Sequence, residues 1–172
     1  MGASRWHTTT VDAPMIWYFA YGSNMSHAIF VERRGMRPTA ARVGWIEGYR
    51  LCFDLPVGPG ERGVANVVAQ DGARTWGVLY EITHAEGDHL DRTEGVLGGY
   101  YRRIDVAVAV PEGQPVAAFT YHSAFGTHGR KPSARYIGLL LDGARRHGLP
   151  AEYIASLSSY ELAIDERTPP QR

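Results

Sequence analysis

Glu94 is the residue in this chain whose neighbours best suit it to moving a proton. It falls where a helical stretch ends, is followed at once by Gly95, and stands between apolar Leu90 and Val96. A carboxylate near the negative end of a helix, and partly out of water, keeps its proton longer than one on the surface. A general base working near neutral pH needs such a position. The plainer reading, a Glu facing solvent, stands beside it on position alone. Asp91, three residues earlier, could share its helix face, but an ion pair with Arg92, Arg102 or Arg103 is the preferred reading, and Asp91 stays out of the catalytic set.

The second stretch with chemistry in it is Tyr18-Phe19-Ala20-Tyr21-Gly22-Ser23-Asn24-Met25. An apolar strand, Ile16 to Tyr21, breaks into small polar residues. Gly22 lets another molecule approach the backbone and permits positive φ. Ser23 and Asn24 suit the N-cap of a helix running from Met25 to Arg34. Amides exposed at such a junction can hold a carboxylate or a developing oxyanion, although the same pattern also occurs as a plain turn.

Other chemistries find no footing. There is no Gly-x-Ser-x-Gly elbow and no His-Glu-x-x-His, Ser23 has no evident His partner, and His122 and His128 lack acidic residues at metal-ligand spacing. No cofactor or metal is expected. The glycines of Leu55 to Gly63 do not follow phosphate-loop spacing. The single cysteine, Cys52, lies in the strand-like run Tyr49 to Phe53 and reads as a buried, inert thiol.

Several short elements must position these residues. Ala41 to Phe53 reads as one or two strands, Val64 to Ala69 as another, Asp71-Gly72 as a turn, and Thr75 to Ile82 as the next strand. Thr83-His84-Ala85-Glu86 carries a capping-box pattern and opens the helix that leads to Glu94. Tyr100 to Val110 and Pro115 to His122 make a hairpin, and Ser123 to Lys131 a loop. Helices follow from Pro132-Ser133 to Arg145, capped by Gly148, and from Ala151 to Ser158. Short strands at close spacing suggest a small barrel or a strongly curled sheet.

The chain has 172 residues, enough for one domain with a real core. Residues 1–14 read as a flexible extension, 15–164 as the domain and 165–172 as a flexible tail. Lys plus Arg equals Asp plus Glu at 18 each, so charge gives no argument for nucleic acid or a membrane surface. The pairs Arg33-Arg34, Arg102-Arg103 and Arg145-Arg146 read as solvated surface. No run is long and apolar enough to span a bilayer, and the first residues lack a signal-peptide core. A cytoplasmic enzyme or binding domain, monomer or homodimer, is the expectation.

The two stretches together resemble the γ-glutamylcyclotransferase family, whose fold is also described as AIG2-like. Tyr18 to Met25 is similar to its opening signature, and Leu90-Asp91-Arg92-Thr93-Glu94-Gly95-Val96 with Gly99-Tyr100-Tyr101 to its catalytic segment. Gly63 to Val67, Trp76 to Tyr80, Pro132 to Tyr136 and Gly148 to Tyr153 add to the match, which runs from Ile16 to Glu161.

The resemblance implies an α+β fold, a small mixed and mainly antiparallel β-barrel with flanking helices, and a metal-free reaction in which a γ-glutamyl amide is cleaved by its own α-amine, releasing 5-oxoproline and a free amine or amino acid. It implies Glu94 as general acid/base, and substrate contacts from Tyr21, Gly22, Ser23, Asn24 and Met25, with Tyr101, Tyr121 and Tyr136 as pocket walls or hydroxyl donors. For those three tyrosines core packing is the competing reading. The partner implied is a small γ-glutamyl molecule, from the glutathione cycle or from a biosynthetic intermediate carrying a γ-glutamyl cap. Loops Pro56 to Arg62 and Ser123 to Lys131 are expected to shape the leaving-group side. A non-catalytic γ-glutamyl-binding module and a γ-glutamyl hydrolase are the other classes.

Overall fold

The computed structural model describes residues 13–165. The apolar run Met15–Ala20 becomes β1, and its Tyr18, Phe19 and Ala20 are all buried. An unbroken apolar run, rather than an alternating one, is what a strand covered on both faces requires. β1 is the middle strand of five. The others are β2 (Ala40–Pro56), β3 (Gly63–Thr83), β4 (Arg102–Val108) and β5 (Val116–His122), in the order β2-β3-β1-β5-β4. β1 runs antiparallel to β3 and parallel to β5, while β2/β3 and β4/β5 pair antiparallel. The sheet is mixed and mainly antiparallel, as expected of this α+β fold.

The expected barrel does not close. Beside β4, Ala109 exchanges two 2.9 Å backbone hydrogen bonds with Trp45 of β2, and among the described residues no ladder extends that bridge. The contact depends on Gly44, where a Cβ would lie 2.7 Å from the Ala109 carbonyl oxygen. The sheet curls until its edges touch at one point.

Asp71-Gly72 does not end a strand either. β3 continues through it, and the register jumps from Glu47↔Arg74 to Tyr49↔Ala69, so residues 70–73 stand against Gly48 alone. Gly48 and Gly72 both take positive φ there. The turn residues serve a bulge that bends a long two-stranded ribbon.

Three helices flank the sheet. α1 (His84–Thr93) starts at the expected capping box: Thr83 Oγ1 accepts from Glu86 N at 3.1 Å, and Glu86 Oε2 accepts from Thr83 N at 2.9 Å. α2 (Ala134–His147) is capped by Ser133 and ends at Gly148 in the left-handed region. α3 (Ala151–Ser158) follows directly. Among the described residues no helix is long and apolar enough to cross a membrane.

The expected helix from Met25 to Arg34 is replaced by two unusual pieces, a 3-10 turn over Ser23–Met25 and a π-helical segment over Ala28–Arg33. Neither Ser23 nor Asn24 caps a helix with its side chain. Phe30 pins the π segment to the sheet, its ring 4.2 Å from that of Tyr80 and 5.8 Å from that of Tyr18. π-helical turns are rare and tend to occur at functional sites. Of the flexible segments expected at residues 1–14 and 165–172, residues 1–12 and 166–172 lie outside the described residues. Pro14 accepts a hydrogen bond from His84 N at 3.1 Å, and Asp165 pairs with Arg62 at 3.7 Å.

Candidate active site

α1 delivers Glu94 to the inside of the molecule. Leu90, fully buried, anchors the last turn, Glu94 N donates to Leu90 O at 2.9 Å, and Gly95 (φ 69°) carries the chain away. The Glu94 side chain is 14% exposed. Its Oε1 accepts from Asn24 Nδ2 at 2.8 Å and lies 3.2 Å from Arg34 Nη2. Among the described residues no hydrogen bond reaches Oε2, and the residue lines a cavity of about 160 Å³.

The 3-10 turn supplies the facing wall. Asn24 is locked from three sides: Nδ2 also donates to the Tyr18 hydroxyl at 2.9 Å, and the Asn24 carbonyl accepts from the Tyr80 hydroxyl at 3.1 Å. Asn24 Oδ1 is buried with no partner among the described residues. Met25 N donates to Gly22 O at 3.0 Å and Ser26 N to Ser23 O at 2.9 Å, which closes the turn. Gly22 has a negative φ of −112°, so its expected conformational role is corrected. A Cβ there would lie 3.0 Å from Ala65 Cβ and 3.1 Å from the Tyr136 hydroxyl. Glycine is needed for close approach.

Tyrosines make up much of the remaining wall. Tyr136 accepts from Ala65 N at 3.0 Å, and Tyr101 donates to Ala65 O at 2.6 Å. Tyr21 donates to Tyr121 O, and Tyr121 to Asp91 Oδ1, both at 2.5 Å. Burial raises the pKa of Tyr18, Tyr21, Tyr101, Tyr121 and Tyr136, the last to about 12. All five stay protonated at neutral pH. They are neutral hydroxyls around one carboxylate, and none is a base.

A small polar cavity holding one oriented carboxylate, ringed by phenols and short-side-chain backbone, can bind a compact zwitterion and accept its proton. Similarity to known proteins agrees. Curated γ-glutamylcyclotransferases from Bos taurus and Homo sapiens are 31% and 32% identical to this chain, covering 87% and 89% of it and 81% and 82% of themselves. The chain belongs to the γ-glutamylcyclotransferase family. A family model described as AIG2-like matches residues 74–157. A solved γ-glutamyl cyclotransferase superposes with a TM-score of 0.76 at 28% identity, over 86% of this chain and 89% of that one.

The fold gathers Tyr21, Gly22, Ser23, Asn24, Glu94, Tyr101, Tyr121 and Tyr136 around the small cavity. It leaves Met25 out. The Met25 side chain is fully buried beneath α2, and its amide is used inside the turn, so it offers the cavity nothing. Asp91 pairs with Arg103 at 2.6 Å, the ion pair expected of it, and holds the Tyr121 hydroxyl.

Four wall residues lie outside the expected set: Tyr18, Arg34, Val64 and Ala65. Tyr18 belongs to the opening signature, and Val64 and Ala65 to the matching stretch Gly63 to Val67. Arg34, which reads in sequence as solvated surface beside Arg33, has a side chain 18% exposed and paired with Glu94. The loop expectation is half corrected: Val57 and Arg62 line a larger groove beside the cavity, whereas none of residues 123–131 lines either space. Arg130 instead donates to the carbonyls of Gly58 and Arg62, bracing the first loop from behind. Among the described residues no three His, Cys, Asp or Glu side chains gather as a metal ion would need.

Proposed function

We propose that this chain is a 5-oxoproline-forming γ-glutamylcyclotransferase with Glu94 as its general acid/base. The observation that carries the reading is the Glu94 carboxylate, oriented through Oε1 by Asn24 and Arg34, with Oε2 left for a ligand in a small polar cavity. The substrate's own α-amine is the nucleophile, so the protein needs neither Ser nor Cys for that task. Cys52 is unsuited to it, with its thiol pushed up to about 12 by burial and by Asp54.

In the proposed cycle Glu94 Oε2 takes a proton from the α-ammonium, and the freed amine attacks the γ-carbonyl carbon. A C–N bond forms and closes the five-membered ring. Glu94 passes its proton to the amide nitrogen as the C–N bond to the leaving amine breaks. It then takes the second proton from the attacking nitrogen and hands it to the released amine, which departs as an ammonium while the ring nitrogen is left as a neutral lactam N–H. Asn24 Nδ2 holds Glu94 Oε1 in place throughout, which keeps Oε2 as the oxygen that carries the proton. The Gly22 and Ser23 backbone with the Tyr136 hydroxyl faces the substrate's charged oxygens, while Tyr101, whose proton goes to Ala65 O, is a wall of the cavity. Holding the chain bent supplies several kcal/mol of the barrier by proximity, out of the roughly 7–11 kcal/mol such pre-organisation can reach.

All of these groups come from one chain, so monomer and homodimer serve the chemistry equally. We place the reaction in the cytoplasm, where a lone thiol such as Cys52 stays reduced. The test is product analysis on a panel of γ-glutamyl dipeptides and γ-glutamyl amines. Release of 5-oxoproline supports the reading. Release of glutamate in its place would mean hydrolysis, and neither product from any member would leave a binding module.

A further inference from the structure

The small cavity opens into a groove of about 510 Å³, within the range of clefts that hold drug-sized ligands; the two spaces share Ser23, Arg34, Val64 and Tyr136. On the proposed reading, a γ-glutamyl group seated against Glu94 points its leaving group into that groove. Ile29, Val57 and Leu139 provide apolar surface there. Around them stand four arginines, Arg33, Arg34, Arg62 and Arg135, with no Asp or Glu in the lining.

Two of the four cations already face carboxylates. Arg34 pairs with Glu94 at 3.2 Å and Arg62 with Asp165 at 3.7 Å. Arg33 and Arg135 are exposed and form no ion pair among the described residues. Two further features add to the positive field. The N-terminus of α2 reaches the groove through Ser133, Arg135 and Tyr136 and has no acidic residue in its first turn. Arg34 Nε is buried with no hydrogen-bond partner among the described residues. Surface arginines are ordinarily solvated and scattered. Here the π segment, the β2–β3 loop and α2 bring them from three distant parts of the chain to one groove.

We infer that the leaving group of this enzyme's γ-glutamyl substrate is a dianion, an amino acid or short peptide bearing two carboxylates. The inference rests on the cyclotransferase reading and goes beyond it by naming the charge of the group released. One carboxylate answers Arg135 and the α2 N-terminus, the other Arg33. An amine without carboxylates would leave both cations unmatched.

The test compares γ-Glu-Glu with γ-Glu-Gln, whose leaving groups are nearly equal in shape and differ by one negative charge. The expected kcat/KM for 5-oxoproline release is about tenfold higher for γ-Glu-Glu at low salt, the product of a few partly exposed charge contacts. That ratio should shrink as salt rises to about 0.5 M. It should also collapse in an Arg33→Gln/Arg135→Gln double variant. The Arg42→Gln/Arg145→Gln variant, with the same change in net charge at exposed positions outside the groove, should keep it. Equal kcat/KM for the two peptides, with 5-oxoproline formed from both, overturns the inference and leaves the cyclotransferase reading standing. Should neither peptide yield 5-oxoproline, the cyclotransferase reading itself fails for them, and calorimetric binding of both to the wild-type protein decides the groove. Tighter binding of γ-Glu-Glu supports the dianion; equal binding, or none, overturns it.

Discussion

Gly143 and Gly138 lie five residues apart on α2, and alanine should act on them in opposite directions. At Gly138 a Cβ would meet nothing within 4 Å. Alanine there gains the usual helix preference of about 1 kcal/mol. At Gly143 the same Cβ would lie 2.4 Å from the Met25 carbonyl carbon and oxygen, where ordinary contact begins at 3.4 Å. The helix or the 3-10 turn must therefore retreat by about 1 Å, and overpacking of this kind costs about 1–3 kcal/mol against the same gain. The clash wins. Because Met25 closes the turn that carries Ser23 and Asn24, the retreat also shifts Asn24 relative to Glu94. A displacement of that size can lower activity by about 100-fold. The assay is thermal melting beside steady-state 5-oxoproline release for both variants. Gly138→Ala should melt about 2–4 °C higher with full activity, and Gly143→Ala should melt lower with kcat/KM reduced at least tenfold. A Gly143→Ala protein as stable and active as Gly138→Ala would refute the view that α2 braces the active-site turn.

Other expectations follow from single residues. Arg34→Met leaves Glu94 with Asn24 alone; breaking the pair should cost about 1–3 kcal/mol after allowance for its partial exposure, and both the melting temperature and kcat/KM should fall. Unchanged values would show that the pair does nothing. The Cys52 thiol, with a pKa of about 12, should resist iodoacetamide at pH 8 until the protein is unfolded, and rapid alkylation of the native chain would contradict that. His147 lies 3.1 Å from the Tyr80 hydroxyl, and burial, then Arg146, lowers its pKa below the usual 6.5. Its neutral form is favoured by folding, so the associated stability is complete above pH 6.5 and is lost as pH falls through the depressed folded value. His147→Gln should flatten the fall in melting temperature below pH 6.5, and an identical slope in both proteins would exclude this role.

What could be read from the sequence follows the range of the forces involved. The starts of α1 and α2 were legible because caps act within one turn, Thr83 with Glu86 and Ser133 with Tyr136, and Gly148 in the left-handed region marks the end of α2. Glu94 was legible for the same reason, as the last residue of a capped helix before a glycine. Arg34 was not, because its partner lies 60 residues away and a double arginine reads as solvent-facing wherever no contact is known. Asn24 resembles a cap locally, yet its side chain is drawn off by Glu94 and Tyr18 across the core. Met25 belongs to the same signature as its neighbours, but the 3-10 turn uses its amide and α2 covers its side chain. The bulge at Asp71-Gly72 was hidden because a turn dipeptide can end a strand or bend a ribbon, and the choice depends on Gly48 in the partner strand. Closure of the barrel likewise depends on how far two edges travel, which the strand pattern does not encode.

The most direct measurement is 5-oxoproline release by Glu94→Gln beside wild type, on whichever γ-glutamyl peptide the wild type turns over best. Gln keeps the shape and the contact with Asn24 but cannot take the ammonium proton. Circular dichroism and melting should show a folded protein, so that lost turnover reports on chemistry. The expected result is a fall in kcat of at least 100-fold, the scale of a positioned acid/base. A folded Glu94→Gln protein that releases 5-oxoproline within a few-fold of wild type would contradict Glu94 as the base.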